Sequence, residues 1–108
     1  MSGKVLFWVQ HLLGIGHLKR TSTLARSLAA SGFEVTIASG GFPVAGLRLG
    51  GARLVQLPPV RAIDVYFKDP RTEDDRPIDD AWRARRRAAL MTCADQVRPD
   101  IVLTELFP

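Results

Sequence analysis

Cysteine and histidine are scarce in this chain, which has one cysteine and two histidines among 108 residues. Because Cys93 stands alone, an intramolecular disulfide and a cysteine-rich zinc site are both excluded. The two histidines, His11 and His17, are too few for a metal site built from histidine alone. We therefore expect no metal site, and nothing in the sequence implies a cofactor.

Long hydrophobic runs are also missing. No segment approaches the roughly 18 apolar residues of a membrane span, and the amino terminus lacks a signal-peptide pattern. Hydrophobic residues make up 46% of the chain and charged residues 24%, a balance typical of globular proteins. The length suits one small domain at most. These features predict a cytoplasmic protein, with a peripheral position at the membrane as the alternative.

Aromatic residues are few, at 7%, and the basic residues do not form one block. Residues 1–63 carry seven basic side chains and one acidic, residues 64–80 carry three and seven, and residues 81–108 carry five and three. Proteins that bind nucleic acid more often present one continuous basic face, with aromatic residues interleaved where bases stack. The net charge of +4 is therefore weak support for nucleic-acid binding, and we expect no nucleic-acid partner.

Apolar patterning predicts a parallel β-sheet. Runs that are apolar nearly throughout are typical of strands covered on both faces, and an alternating run is typical of a strand with one covered face. Helical periodicity separates these runs, and strand–helix alternation of this kind argues for an α/β fold. We expect an open, Rossmann-like parallel sheet that is incomplete in this chain. Its strands are predicted over residues 4–10, 33–39, 52–57 and 100–104.

Two helices are predicted, the first from His17 to about Ser31 and the second from Asp79-Asp80 to about Val97. Gly32 is the expected C-terminal cap of the first helix. Residues 44–50 are a candidate for a short helix, whereas residues 58–78 lack periodicity and are expected to form a functional or disordered loop. The residues expected to face the sheet are Leu18, Thr21, Ala25, Leu28 and Ala29 in the first helix, and Trp82, Ala89, Leu90, Cys93 and Val97 in the second.

The fourth predicted strand has the apolar pattern of a buried central strand, although only four residues follow it in this sequence. A strand left at an open edge presents unpaired backbone groups and favours association. We therefore expect the sheet to continue in residues outside this sequence or in a partner polypeptide.

Three segments are predicted at the carboxyl ends of strands, where open α/β sheets bind ligands. They are residues 13–17, residues 39–41 and residues 104–108. The first joins a strand to a helix, so free backbone N–H groups and the positive end of the helix dipole converge on it. A tight turn that needs glycine only for its backbone geometry is the alternative. The candidate residues for binding a phosphate, a carboxylate or a sugar oxygen are Gly14, Ile15, Gly16, Ser39, Gly40 and Gly41.

A dinucleotide site is not predicted at these turns. Lys19 stands where the fingerprint of such sites requires a third glycine, and Ser39 stands where an acidic residue is needed to hold a ribose.

His17 and Glu105 are the candidate catalytic residues. His17 opens the first predicted helix, and Glu105 follows the fourth predicted strand. If that strand neighbours the first strand, both side chains emerge at the same edge of the sheet. A carboxylate on one ring nitrogen would then fix the tautomer and support the imidazolium that forms when the other nitrogen accepts a proton. The alternative is a histidine that packs locally and a glutamate in a surface turn.

Other polar residues give weaker indications. The second predicted helix contains an arginine cluster typical of phosphate sites, but the helix is expected to point its members in different directions. Arg86 falls between the apolar positions 82 and 90, so it must extend along them into solvent, pair with another group or reach a ligand, and we expect the first of these. His11 ends the first strand and is a further candidate to line the ligand pocket, and Cys93 is expected to be buried and inert. The arginine cluster comprises Arg83, Arg85, Arg86 and Arg87.

Residues 5–20, 24–36 and 103–108 resemble the amino-terminal domain of predicted glycosyltransferases with the two-Rossmann-domain architecture known as GT-B. The most specific element is Gly14-x-Gly16-His17 at the start of a helix. The resemblance covers essentially all of this chain, but only about the first third of such an enzyme. It implies that residues 1–108 form part of an acceptor domain. It also implies that the donor-binding domain lies on a missing segment or a partner polypeptide.

The wider group includes the lipid-intermediate N-acetylglucosaminyltransferases and the plant-type UDP-glycosyltransferases. The resemblance implies that His17 is the general base and that Glu105 is the acid that orients it, where plant-type members normally have aspartate. It also implies that a hydroxyl of a small molecule or lipid attacks the anomeric carbon of a nucleotide sugar, with inversion. The chain alone is expected to show little transfer.

Three alternatives to a transferase remain open. One is a nucleotide-sugar epimerase of the same architecture, and another is a non-catalytic α/β subunit that binds a partner polypeptide through its open sheet edge. A basic α/β module that binds RNA is the most distant of the three.

Overall fold

A computed structural model describes residues 3–12, 14–62 and 70–105. These residues form a parallel sheet with one helix packed on each face, together with a small pair of antiparallel strands. The α/β class and the parallel sheet predicted from the sequence are therefore confirmed. In chain order the elements are β1 (Lys4–Val9), α1 (Gly16–Ala30), β2 (Glu34–Ser39), β3 (Arg53–Gln56), β4 (Val60–Arg61), β5 (Arg71–Thr72), α2 (Asp80–Val97) and β6 (Ile101–Glu105).

The four-stranded sheet has the order β3-β2-β1-β6, and neighbouring strands are parallel throughout. From β1 the chain moves outward through β2 to β3, and it then returns to the opposite side of β1 as β6. The strand order therefore reverses between β1 and β6. Open α/β sheets bind ligands outside the carboxyl ends of the strands at such a reversal.

Two hydrophobic layers form because successive side chains of a strand point to opposite faces of the sheet. The first layer lies between the sheet and α1, and the second lies between the sheet and α2. Full burial of one large aliphatic side chain stabilises a fold by about 1.5–3 kcal/mol, so these layers hold the helices in place. The first layer contains Val5, Phe7, Val9, Leu18, Ala25, Val35, Ile37 and Ala52, and the second contains Leu6, Ala38, Leu57, Cys93 and Val97.

The helix ends follow the sequence signals. Asp79 caps α2, where its Oδ1 accepts a hydrogen bond from the backbone N–H of Trp82 at 2.7 Å. Gly32 follows the end of α1 with a φ of 99°, a left-handed conformation that glycine adopts without strain. The start of α1 differs, because no side chain caps it.

Two segments differ from the predictions. Residues 44–50 form turns instead of a short helix, and the positive φ angles of Gly46 and Gly50, 75° and 59°, interrupt any helical backbone there. Residues 58–78 contain β4 and β5, which pair antiparallel. Strands of two residues are too short to show an alternating pattern. Residues 63–69 of this segment lie outside the described residues.

β6 lies at an edge of the sheet that the structure describes, beside β1. Ile101, Val102 and Leu103 are exposed by 50%, 55% and 40% respectively. The pattern predicted a buried strand, and the described residues cover neither of its faces fully. The continuation of the sheet beyond β6 stays a prediction. In the part of the chain that the structure describes, no helix is long and apolar enough to cross a membrane.

Candidate functional site

His17 and Glu105 meet at the reversal of strand order. β6 pairs with β1 so that Glu105 lies opposite Val9, the last residue of β1. His17 lies in the first turn of α1, which begins shortly after β1. The imidazole Nδ1 of His17 is 2.7 Å from the carboxylate Oε1 of Glu105, although the two residues are 88 positions apart in sequence. The juxtaposition expected from the order of the elements is therefore present.

The hydrogen bond fixes the roles of the two ring nitrogens. A carboxylate oxygen accepts hydrogen bonds, so we assign the proton of the neutral ring to Nδ1. Nε2 then carries the lone pair, and it has no hydrogen-bond partner among the described residues. The His17 side chain is 43% exposed. Nε2 is thus free to accept a proton from a bound hydroxyl group.

Arg20 is a third member of this site, which the sequence analysis missed. Its Nε donates a hydrogen bond to Glu105 Oε1 at 3.0 Å, and its Nη2 donates to the same oxygen. Nη2 also lies 3.0 Å from Nδ1 of His17, but two donors cannot bond to each other, so this contact follows from their shared acceptor. Arg20 stands three residues after His17, a spacing that brings side chains together on a helix and could have indicated it.

Glu105 is held as a carboxylate in this arrangement. Hydrogen bonds from His17 and from Arg20 lower the pKa of Glu105 below its ordinary value of 4.5. The longer side chain of glutamate, compared with aspartate, still reaches the imidazole. A negative charge beside Nδ1 can therefore stabilise the positive charge that the ring acquires when Nε2 takes up a proton.

The turn that leads into α1 is open. A Cβ added at Gly14 or Gly16 would meet none of the described atoms within 4 Å. Packing within the described chain therefore does not explain these glycines. The first N–H groups of α1 also lack a side-chain cap. Space and hydrogen-bond donors thus lie beside His17, where a ligand oxygen would bind.

The turn after β2 is closed. A Cβ at Gly40 would lie 1.9 Å from Nη2 of Arg86, and a Cβ at Gly41 would lie 2.2 Å from Nε2 of His11. Ser39, Gly40 and Gly41 are all buried. Close packing accounts for both glycines, and in the described structure no hydrogen bond joins this turn to His17 or Glu105. An acceptor-binding role for these three residues stays a prediction.

His11 belongs to this closed turn. It is buried, and its Nε2 donates a hydrogen bond to the backbone carbonyl of Phe42 at 3.1 Å. Burial lowers the pKa of His11, while the hydrogen bond to Phe42 acts in the opposite direction. These contacts make His11 a packing residue of the turn.

The arginines of α2 divide between two surfaces. Arg85 lines a cavity of about 670 Å³ between α2 and residues 72–79. The other three line a neighbouring groove of about 340 Å³ that shares Ile78 and Trp82 with this cavity, so the expectation that α2 points them in different directions is wrong for these three. None of His17, Arg20 and Glu105 lines either space.

Arg86 also departs from its prediction. Instead of extending into solvent, its guanidinium stacks between two indole rings and donates a hydrogen bond to Oε1 of Gln10. Cys93 is buried as predicted, and burial raises the pKa of its thiol.

Among residues 3–12, 14–62 and 70–105, no three histidine, cysteine or acidic side chains are placed to hold a metal ion. The fold and the site define an α/β protein with a histidine–carboxylate pair at the reversal of strand order. No model of a known protein family matches this chain, and no curated protein matches it.

Proposed function

We propose that this chain is the acceptor-side part of a glycosyltransferase, which moves a sugar from a nucleotide-sugar donor to an acceptor hydroxyl. The observation that supports the proposal is the hydrogen-bonded pair of His17 and Glu105, with 2.7 Å between Nδ1 and Oε1. A histidine oriented by a carboxylate is a common means of activating a hydroxyl group. The resemblance of the surrounding residues to GT-B glycosyltransferases agrees with that chemistry.

His17 is the general base in the proposed reaction. The acceptor hydroxyl lies within hydrogen-bond reach of Nε2, and its proton moves to Nε2 as the oxygen attacks the anomeric carbon. The bond from that carbon to the nucleoside diphosphate breaks at the same time, which inverts the anomeric configuration. Glu105 holds the Nδ1–H and stabilises the charged ring. General-base catalysis of this kind contributes about 10²- to 10⁴-fold.

The acceptor binds over the open turn in this proposal. Gly14 and Gly16 leave space beside His17, and the uncapped start of α1 offers N–H groups to an acceptor oxygen. Arg20, whose side chain is 59% exposed, stands at the rim of the same space. An acceptor with a negatively charged group near the reacting hydroxyl would suit this rim.

The nucleotide-sugar donor binds mainly to a further domain or a partner polypeptide, which we propose adds to the β6 edge. Ile101 and Leu103 share the α1 face of the sheet with their partners Val5 and Phe7, whereas Val102 lies on the α2 face. Apolar side chains are therefore exposed on both faces of this edge strand. The same observation favours the second candidate function, a non-catalytic subunit that binds a partner polypeptide there.

The test is to isolate the tagged protein, with whatever binds it, from the cells that make it and to measure release of nucleoside diphosphate from nucleotide sugars. We expect His17→Ala to lower the rate by about 10²- to 10⁴-fold. Glu105→Gln should be milder, because the amide oxygen still holds Nδ1–H without the charge. Lys19→Ala is the matched control, since Lys19 is exposed in the same helical turn.

The outcomes separate the candidates. A rate close to wild type in His17→Ala would contradict the general-base role. Absence of nucleotide release by an intact complex with a partner would favour the non-catalytic subunit. Conversion of the sugar without any acceptor would favour an epimerase. Nuclear magnetic resonance of the product reports the anomeric configuration and tests inversion.

A further inference from the structure

Arg86 occupies an unusual position between two aromatic rings. Its guanidinium carbon lies 4.8 Å from the ring centroid of Trp8 and 5.2 Å from that of Trp82. The two rings come from β1 and α2, and they hold the guanidinium near the carboxyl end of β1. The negative face of each ring attracts the cation, and this attraction is stronger where the cation is desolvated.

The charge of Arg86 is only partly compensated. Nη2 donates to Gln10, whereas Nε is buried and has no hydrogen-bond partner in the described part of the chain. No carboxylate among the described residues forms an ion pair with Arg86, although the neighbouring Arg83 pairs with Asp80 at 3.1 Å. Burial lowers the pKa of Arg86 to about 10, so the side chain remains positively charged at neutral pH. A partly buried cation without a counter-ion is costly, and an anion from outside would relieve that cost.

A groove of about 340 Å³ opens onto this guanidinium. Arg83, Arg86 and Arg87 reach it together because residues three and four positions apart share one face of a helix. The rest of its lining is apolar or aromatic and comprises Trp8, Ile78, Trp82 and Leu90. The groove therefore combines a cluster of cations with a surface that favours hydrocarbon.

We propose that this groove binds an organic anion, with a phosphate or carboxylate group on Arg86 and Arg87 and an apolar body on Trp8 and Trp82. Guanidinium groups bind such anions through charge-assisted, often bidentate hydrogen bonds. Indole faces and aliphatic side chains favour the attached hydrocarbon. The site is independent of the proposed sugar transfer, because none of the three residues proposed for that reaction lines the groove.

The experiment uses the intrinsic fluorescence of the chain. Trp8 and Trp82 are its two tryptophans, and both flank Arg86, so a change in emission reports this groove. The purified chain is titrated with octyl phosphate and with nonanoate below their micelle concentrations. Two compounds serve as controls. Octyl glucoside has the apolar chain without a charge, and inorganic phosphate has the charge without an apolar chain. We expect saturable binding of one or both organic anions, with affinities about tenfold or more above those of both controls.

Variants assign the binding to Arg86. We expect Arg86→Gln to weaken binding about tenfold or more, since one charge-assisted contact is lost. Arg85→Gln is the matched control, because Arg85 is on the same helix but lines the other cavity. Circular dichroism shows whether Arg86→Gln folds. If it does not fold, the double variant Arg83→Gln with Arg87→Gln tests the role of the arginines instead. We expect it to weaken binding by a similar factor.

The proposal fails if no organic anion binds saturably, or if octyl glucoside binds as tightly as octyl phosphate. Equal affinity for inorganic phosphate would contradict the apolar part of the site. Unchanged affinity in the variants that fold would contradict the role of the arginines. A difference between octyl phosphate and nonanoate, with both dependent on Arg86, would identify the preferred anionic group.

Discussion

Two glycine turns follow neighbouring strands of the same sheet, and they differ in what surrounds the glycines. After β1, a Cβ at Gly14 or Gly16 would meet nothing among the described residues. After β2, a Cβ at Gly40 or Gly41 would overlap side chains from other elements. Close packing within the protein explains the glycines of the second turn, whereas no packing among the described residues explains those of the first turn. In our proposal, the first turn leaves space for an acceptor.

The histidines of the two turns differ in the same way. His17 beside the open turn is partly exposed and bonded to a carboxylate, with Nε2 free. His11 beside the closed turn is buried and bonded to a backbone carbonyl. The histidine of one turn is therefore accessible, whereas that of the other is held by packing, although both turns follow parallel strands.

The largest effect on stability is expected from Gly41→Ala. The new Cβ would lie 2.2 Å from the buried ring of His11, so the turn or the ring must move. Overpacking of this kind costs about 1–3 kcal/mol in the free energy of unfolding. Gly14→Ala is the matched control and should change it by no more than about 0.5 kcal/mol. Urea denaturation of both variants measures the difference, and equal losses would contradict the comparison.

At the open turn, a substitution should change the rate of the reaction instead of the stability. Gly14→Leu places a large side chain in the space beside His17, and displacement of an acceptor by about 1 Å can lower a rate 10²-fold. We expect nucleotide release to fall about tenfold or more, with the free energy of unfolding nearly unchanged. Full activity in Gly14→Leu would show that the space above the turn is not used by the acceptor.

Much of this arrangement follows from the sequence. Long apolar runs predict buried parallel strands, and alternation of strands with helices brings the carboxyl ends to one edge. That reasoning predicts that His17 and Glu105 emerge at the same edge, but only the structure shows that their strands are neighbours. The difference between the two glycine turns could not be predicted, because it depends on side chains that reach them from distant segments, such as Arg86 at Gly40.

Other features of the structure were not predicted from the sequence, and each omission has a physical reason. The strands β4 and β5 have two residues each, so no period is visible. The stacking of Arg86 joins Trp8 and Trp82, which are far apart in sequence and adjacent only once α2 packs on the sheet. Arg20 is different, since its spacing of three residues from His17 on a helix was visible from the start.

The closed turn should also make stability depend on pH. Burial lowers the pKa of His11 below its ordinary value of 6.5, so the unfolded chain binds this proton at a higher pH than the native protein does. As the pH falls below about 6.5, the unfolded state is therefore favoured, with a slope of at most about 1.4 kcal/mol per pH unit for one proton. His11→Gln should remove this slope between pH 7 and the lowered pKa. Identical slopes in the two proteins would show that burial of His11 does not control acid stability.

The smallest effect on the free energy of unfolding is expected from Glu105→Gln at the open turn. Its lowered pKa means that the native protein binds fewer protons than the unfolded chain, so Glu105 stabilises the fold above about pH 4.5. That contribution is lost as the pH falls through the folded-state pKa. Because its partners Arg20 and His17 are 59% and 43% exposed, solvent and salt screen the interaction to about 1 kcal/mol or less.

Unfolding of wild type and Glu105→Gln at neutral and acid pH, each at low and high salt, measures this contribution. A deficit in the variant that persists at acid pH would indicate a packing role for Glu105, like that of the residues in the closed turn. The loss of stability in Glu105→Gln should instead disappear at acid pH or high salt, while the rate of nucleotide release falls. That result would show that the two turns have different roles. The pair at the open turn would then affect the reaction more than the stability of the fold.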